Sequence, residues 1–258
     1  MRPHRAAFVS GIRRALNEPG ELAVRILFFA VILIVFSALW KAAVEAAGGP
    51  IEGYGYVALI WYVVAAEGAV IATKPRMIEG IGTDIASGAI AVEMLRPVSV
   101  VLFRIVVELG EAFVRLGLAA LVGGALVIAF AGGPPSAAAL TLAIPASILA
   151  VACNLAAQHA FAAAAFWLED SKSSWFLYQK LIFLLGGMLL PLEFLPDGLQ
   201  TAARLLPFWT MSYAPARLAA GHVEPSLLLG QSLWLFALLA AAWAAFRAGE
   251  RRLEVAGG

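Results

Sequence analysis

The sequence predicts an all-α, polytopic membrane protein with six transmembrane helices, a cytoplasmic amphipathic helix after span 2 and a re-entrant helical hairpin between spans 5 and 6. Three observations carry this reading. Of the 258 residues, 62% are hydrophobic and only 14% charged, well above the roughly 45–50% apolar content of soluble domains. The apolar residues gather into runs of about 20, the length at which a helix crosses a bilayer core. The polar and proline-rich residues fall between those runs. A net charge of +1 offers no basic surface for nucleic acid, and the lone Cys153 excludes an internal disulfide.

The whole chain, residues 1–258, reads as one transmembrane domain. Residues 1–20 form a polar lead. The run that follows has no small-residue cleavage site near residue 30, so the lead is expected to stay attached rather than to act as a signal peptide. Span 1 runs from about Glu21 to Glu45 and span 2 from about Gly53 to Thr73, joined by the turn "AAGGPIEG". Residues 75–97 form a polar interlude before span 3, which lies within Val98 to Ala131. Spans 4, 5 and 6 run from about Ala137 to Leu168, Ser174 to Leu192 and Leu227 to Arg247. Residues 188–224 hold Pro191, Pro196, Pro207 and Pro215 and no piece long enough to cross. Such backbone is tolerated at membrane depth only when buried in protein or facing a cavity, hence the re-entrant hairpin. Within it, Asp197 is expected to cap a short helix through Leu206, with a second piece after Pro207.

Orientation follows from the cations. Arg2, Arg5, Arg13, Arg14 and Arg25, then Lys74, Arg76, Arg96 and Arg104, then Lys172, then Arg247, Arg251 and Arg252 all fall on one side of six spans. The other side receives the uncharged "AGGPPSA" turn and a segment with only Arg204 and Arg217. The positive-inside rule makes both termini and residues 75–97 cytoplasmic.

In that cytoplasmic segment Ile78, Ile81, Ile85, Ala89 and Val92 recur at steps of three and four, one apolar stripe of a helix, with Glu79, Asp84 and Glu93 off it. Leu95-Arg96-Pro97 stops the helix and turns the chain into span 3. The helix is a solvated loop helix, lies flat among lipid headgroups, or docks on the spans and shows its polar face to a partner.

The stretch "DIASGAIAVEMLRP" resembles the D-I-x-x-G-x-I-x-x-x-L-x-R-P pattern after the second span of ABC-2 type permeases, the membrane subunits of type V-like ABC exporters. The matching positions are Asp84, Ile85, Gly88, Ile90, Leu95, Arg96 and Pro97, with Met94 departing from a common double leucine. The stretch "FLPDGLQTAARLLPFWTMSYAP" is similar to a second motif of that family, between spans 5 and 6. The resemblance implies a permease subunit in a bacterial inner (cytoplasmic) membrane. It would pair with a second, identical or related permease and with a cytosolic ABC ATPase dimer. The seven matching residues would form a coupling helix against the ATPase, with Asp84 and Arg96 holding it by polar contacts and Gly88 permitting close backbone approach. The chain has no GxxxxGK[ST] loop, so ATP and Mg would be bound by the partner ATPase and no cofactor by this chain. The substrate expected is amphiphilic or hydrophobic.

Candidate pathway residues are Glu67, Glu108, Glu111, Arg115 and His159. Glu67 is the ionisable residue nearest the middle of a span, a costly place that signals either function or a structural pair, though six residues before Thr73 it is also within reach of the cytoplasmic boundary. Span 3 as one helix would be roughly 50 Å long, so its first half should stand at the cytoplasmic surface. There Arg104 and Glu108, and Glu111 and Arg115, are spaced to pair along one face, as a self-paired ladder or as the lining of an inner mouth. His159, with Asn154 and Gln158, reads as a polar cavity lining or as hydrogen-bond glue between helices. Lys180 sits close enough to the cytoplasmic end of span 5 to snorkel. An enzyme is disfavoured, because His4, His159 and His222 lie in a tail, a span and an outer loop, and no HExxH or GxSxG occurs. The alternative function is an ion-coupled secondary transporter, against which stands the lack of an evident internal repeat.

Overall fold

The computed structural model describes residues 3–74, 76–94, 99–133, 135–168 and 171–256. Among these there is no strand, only helices, turns and one isolated antiparallel bridge between Ile51 and Tyr54. Four helices are long and apolar enough to cross a membrane: Pro19–Ala46, Val100–Phe130, Ala137–Phe166 and Ser226–Arg251. They coincide with the first, third, fourth and sixth expected spans.

The lead is itself a helix, α1 (Pro3–Asn17), and Pro19 opens α2 (Pro19–Ala46) at the first helical position, where a missing N–H costs nothing. α1 packs along α6 (Val100–Phe130), burying Ala7, Gly11 and Ala15. α2 is apolar all round and leaves Val24, Leu27, Phe28, Ile34 and Val35 exposed, as a helix in lipid or against another membrane chain would.

The second and fifth expected spans are shorter than six full crossings would require. α3 (Tyr56–Ile71) has 16 residues, about 24 Å. It is packed by α2, α6, α7 (Ala137–Ala162) and α10 (Tyr213–Ala219). α8 (Lys172–Leu185) has 14 residues and stops at Gly186-Gly187 instead of running on to Leu192. Gly187 takes a positive φ of 66°, a conformation cheap only for glycine. The carbonyls freed by this stop are satisfied inside the protein. Tyr62 Oη donates to Gly187 O, while Ser212 Oγ and the Tyr213 amide donate to Gly186 O at 2.6 and 3.0 Å.

Residues after the stop form a turn at Leu192–Phe194, α9 (Asp197–Leu205), a turn at Pro207–Thr210, and α10. Asp197 is the first helical residue of α9 and makes no capping bond, with Pro196 in the cap position. The acid therefore acts on the helix's positive end rather than on its amides. Glu193 collects Arg217, Tyr54 and Tyr213 around its carboxylate, and Arg217 also reaches Glu224 at 3.0 Å. This knot ties the chain before α3 to α10 and to the approach of α11 (Ser226–Ala256).

Candidate functional site

The segment after α3 folds as two helices, α4 (Met77–Ala86) and α5 (Ala89–Met94), rather than the single amphipathic helix its periodicity predicts. The break is Gly88, at φ +75°. Its phase change corrects the stripe: Ile78, Ile81 and Ile85 are buried as expected, but Ala89 and Val92 are exposed and Ile90 takes the buried position. Among the described residues a Cβ on Gly88 would meet nothing within 4 Å, so within this chain the glycine serves the backbone turn. Close approach within the chain occurs at Gly82, where a Cβ would lie 2.4 Å from Ser171 Oγ. The buried face of α4 rests on α7, on the turn Ala163–Phe166 and on α8.

Asp84 and Glu93 both bind Arg104 of α6, each at 2.7 Å. The expected Arg104–Glu108 pairing along α6 is therefore replaced. One guanidinium clamps the two short helices to α6, because its donors form a fork that two carboxylates can share. Leu95, Arg96 and Pro97 lie outside the described residues.

Glu108 instead meets Lys74 at 3.3 Å, and Lys74 also lies 2.9 Å from Glu111. Glu111 pairs with Arg115 at 2.8 Å, as spacing predicts, and Arg115 reaches Glu21 at 3.5 Å. Glu21 accepts from Arg25 at 2.7 Å. Arg25 donates to the carbonyls of Ile71 and Thr73 at 3.2 and 3.1 Å, and Arg115 to Ala72 O at 3.5 Å. The end of α3 thus presents its unpaired carbonyls and negative dipole to two guanidiniums. Glu111 and Arg115 are almost fully buried, which is tolerable because each is charge-paired and hydrogen-bonded. Sequence reasoning missed Glu21, Arg25 and Lys74 as members of this lattice; the available signal was the Glu21–Arg25 spacing and the cation immediately after span 2.

Beyond the lattice a cavity of about 840 Å³ opens between α2, α3, α7 and α8. Phe28, Ile32 and Phe36 line one side, Trp175, Tyr178 and Ile182 the other, and Glu67, Asn154 and Gln158 the polar end. Asn154, Gln158 and Thr73 hydrogen-bond among themselves, and Tyr178 Oη donates to Asn154. Glu111 and Arg115 do not line it. His159 faces the other way: its Nδ1 lies 2.8 Å from Leu155 O, its Nε2 has no partner among the described residues, and it borders a separate pocket of about 280 Å³ with Asp84, Glu93, Arg104 and Glu108. The five candidate pathway residues therefore occupy three places. Glu67 is in the large cavity, Glu108 and His159 are at the smaller pocket, and Glu111 with Arg115 is inside the lattice.

Long apolar helices around a charged lattice and an internal cavity define a multi-pass helical membrane protein of the transporter class. The chain matches the family described as "ABC-2 family transporter protein" over residues 26–257, and it belongs to that family. No curated protein matches the chain. Membership makes it the membrane component of an ABC transporter, a family whose ATP is bound by a separate ATPase.

Proposed function

We propose that this chain is the permease subunit of an ATP-driven exporter of an amphiphilic or hydrophobic substrate. It would cross the inner membrane six times with both termini cytoplasmic, paired with a second permease and with a cytosolic ATPase dimer. α4 and α5 are the coupling element in this reading. The observation that carries it is the clamp of Asp84 and Glu93 on Arg104, beneath an outer surface of Gly80, Thr83, Ala86, Ser87 and Ala91, all exposed. Small side chains there leave room for another protein to seat against the backbone. A push on α4–α5 would pass through Arg104 into α6, and from Glu108 and Glu111 through Lys74 to the end of α3. α3 walls the cavity, so the push would reshape it. α3 and α8, though short, would complete six crossings with the Gly186-Gly187 stop and α9–α10 closing the outer end.

Affinity purification of the tagged full chain from native membranes tests the reading. A P-loop ATPase should copurify, and substrate export by the complex should require ATP. If the chain alone, reconstituted in vesicles, transports in response to an ion gradient and without nucleotide, it is a secondary carrier instead.

A further inference from the structure

The 840 Å³ cavity holds four acidic or basic side chains: Glu21, Arg25, Glu67 and Lys74. Three have their charges answered: Glu21 and Arg25 bind each other, and Lys74 binds Glu108 and Glu111. Glu67 is 94% buried by its 6% exposure, and among the described residues no hydrogen bond or ion pair reaches its carboxylate. A buried ionisable group without a partner is costly, and in a membrane helix it marks a place where a ligand supplies what the protein omits. The walls add a second feature. Phe28, Phe36, Trp175 and Tyr178 line the same space, and aromatic faces attract cations through their quadrupole.

We propose that this cavity binds amphiphiles with a cationic head, the head set against Glu67 and the apolar body against the rings of α2 and α8. The volume suits a drug-sized or single-chain molecule. Anionic amphiphiles are disfavoured there, because Arg25 and Lys74 are committed to protein carboxylates while Glu67 faces inward. This names the substrate class for the permease reading and rests on it, but binding can be measured without an ATPase.

Tetraphenylphosphonium and tetraphenylborate, matched in size and opposite in charge, are titrated into the full-length chain in nanodiscs, with empty nanodiscs subtracted. The cation should bind saturably, about 10-fold more weakly in Glu67→Gln, and Glu67→Asp should keep most of the affinity. Borate binding should not weaken in Glu67→Gln. A second measurement uses the unmutated chain: tetraphenylphosphonium, and not tetraphenylborate, should protect Glu67 from a hydrophobic carbodiimide. Equal cation affinity in the wild type and Glu67→Gln, absence of saturable cation binding, or absence of protection overturns the assignment. Cation binding that persists in a chain that recruits no ATPase would count against the permease reading alone.

Discussion

Gly11 of α1 and Gly110 of α6 meet where the two helices cross: a Cβ on Gly11 would lie 2.0 Å from Val107 O, and one on Gly110 2.1 Å from Phe8 O. Neither distance admits a methyl group, so the N-terminal helix is seated on α6 by backbone contact. Small residues at crossings let membrane-associated helices pack by van der Waals contact where hydrophobic drive is weak. α1 is in this way a fixed part of the layer that holds Arg104 and the charge lattice.

Gly11→Val and Gly110→Leu should each force α1 off α6. Overpacking of a close contact costs about 1–3 kcal/mol, so the thermal midpoint of the purified chain should fall. Trypsin cleavage at the exposed Arg13 and Arg14 should accelerate. Gly20→Ala, whose added methyl meets nothing within 4 Å, should do neither. Unchanged melting and proteolysis in both crossing variants would refute the packing.

Arg104→Ala should harm coupling more than Asp84→Ala or Glu93→Ala. Removing the arginine leaves two carboxylates facing each other, while removing one acid leaves the other still bound. Partly exposed ion pairs contribute only about 0.2–1 kcal/mol to stability, so folding and insertion should barely change. The effect should appear as ATP hydrolysis by the complex that no longer drives export, with the double variant Asp84→Ala/Glu93→Ala matching Arg104→Ala. Normal export per ATP in Arg104→Ala would remove the clamp from the mechanism.

Gly88 tests conformation against contact. At φ +75° with open space around it, Gly88→Val should misplace α5, since the left-handed region costs L-residues about 1–2 kcal/mol. Gly88→Asn should be tolerated, because asparagine visits that region readily. If binding of an ATPase fails equally in both variants, contact across Gly88 matters and not its φ.

Much of the architecture was legible because hydropathy is a local signal. The long runs of α2, α6, α7 and α11 need only their own composition to be recognised. The lattice was half legible: Glu111–Arg115 is set by spacing along one helix, and it forms. Arg104 had an equally well-spaced neighbour in Glu108, yet it binds Asp84 and Glu93. Two acids brought close by chain folding outcompete one neighbour on the helix surface. The break at Gly88 was hidden because a glycine fits a helical pattern at a modest cost and gives no sign of its φ.

By itself the sequence determined the class: apolar runs must leave water, their backbone must be satisfied internally as helix, and the chain lacks a loop for nucleotide phosphates. It also marked Glu67 as the ionisable residue closest to the middle of a span. Tertiary structure decided where α8 stops, because Gly186 and Gly187 end the helix only where Tyr62, Ser212 and Tyr213 stand ready to donate to the freed carbonyls. It decided that Glu67 faces a cavity without a partner among the described residues while Glu111, one helix away, is fully engaged. Hydropathy and spacing act within one element, whereas ion pairing and cavities depend on which elements meet.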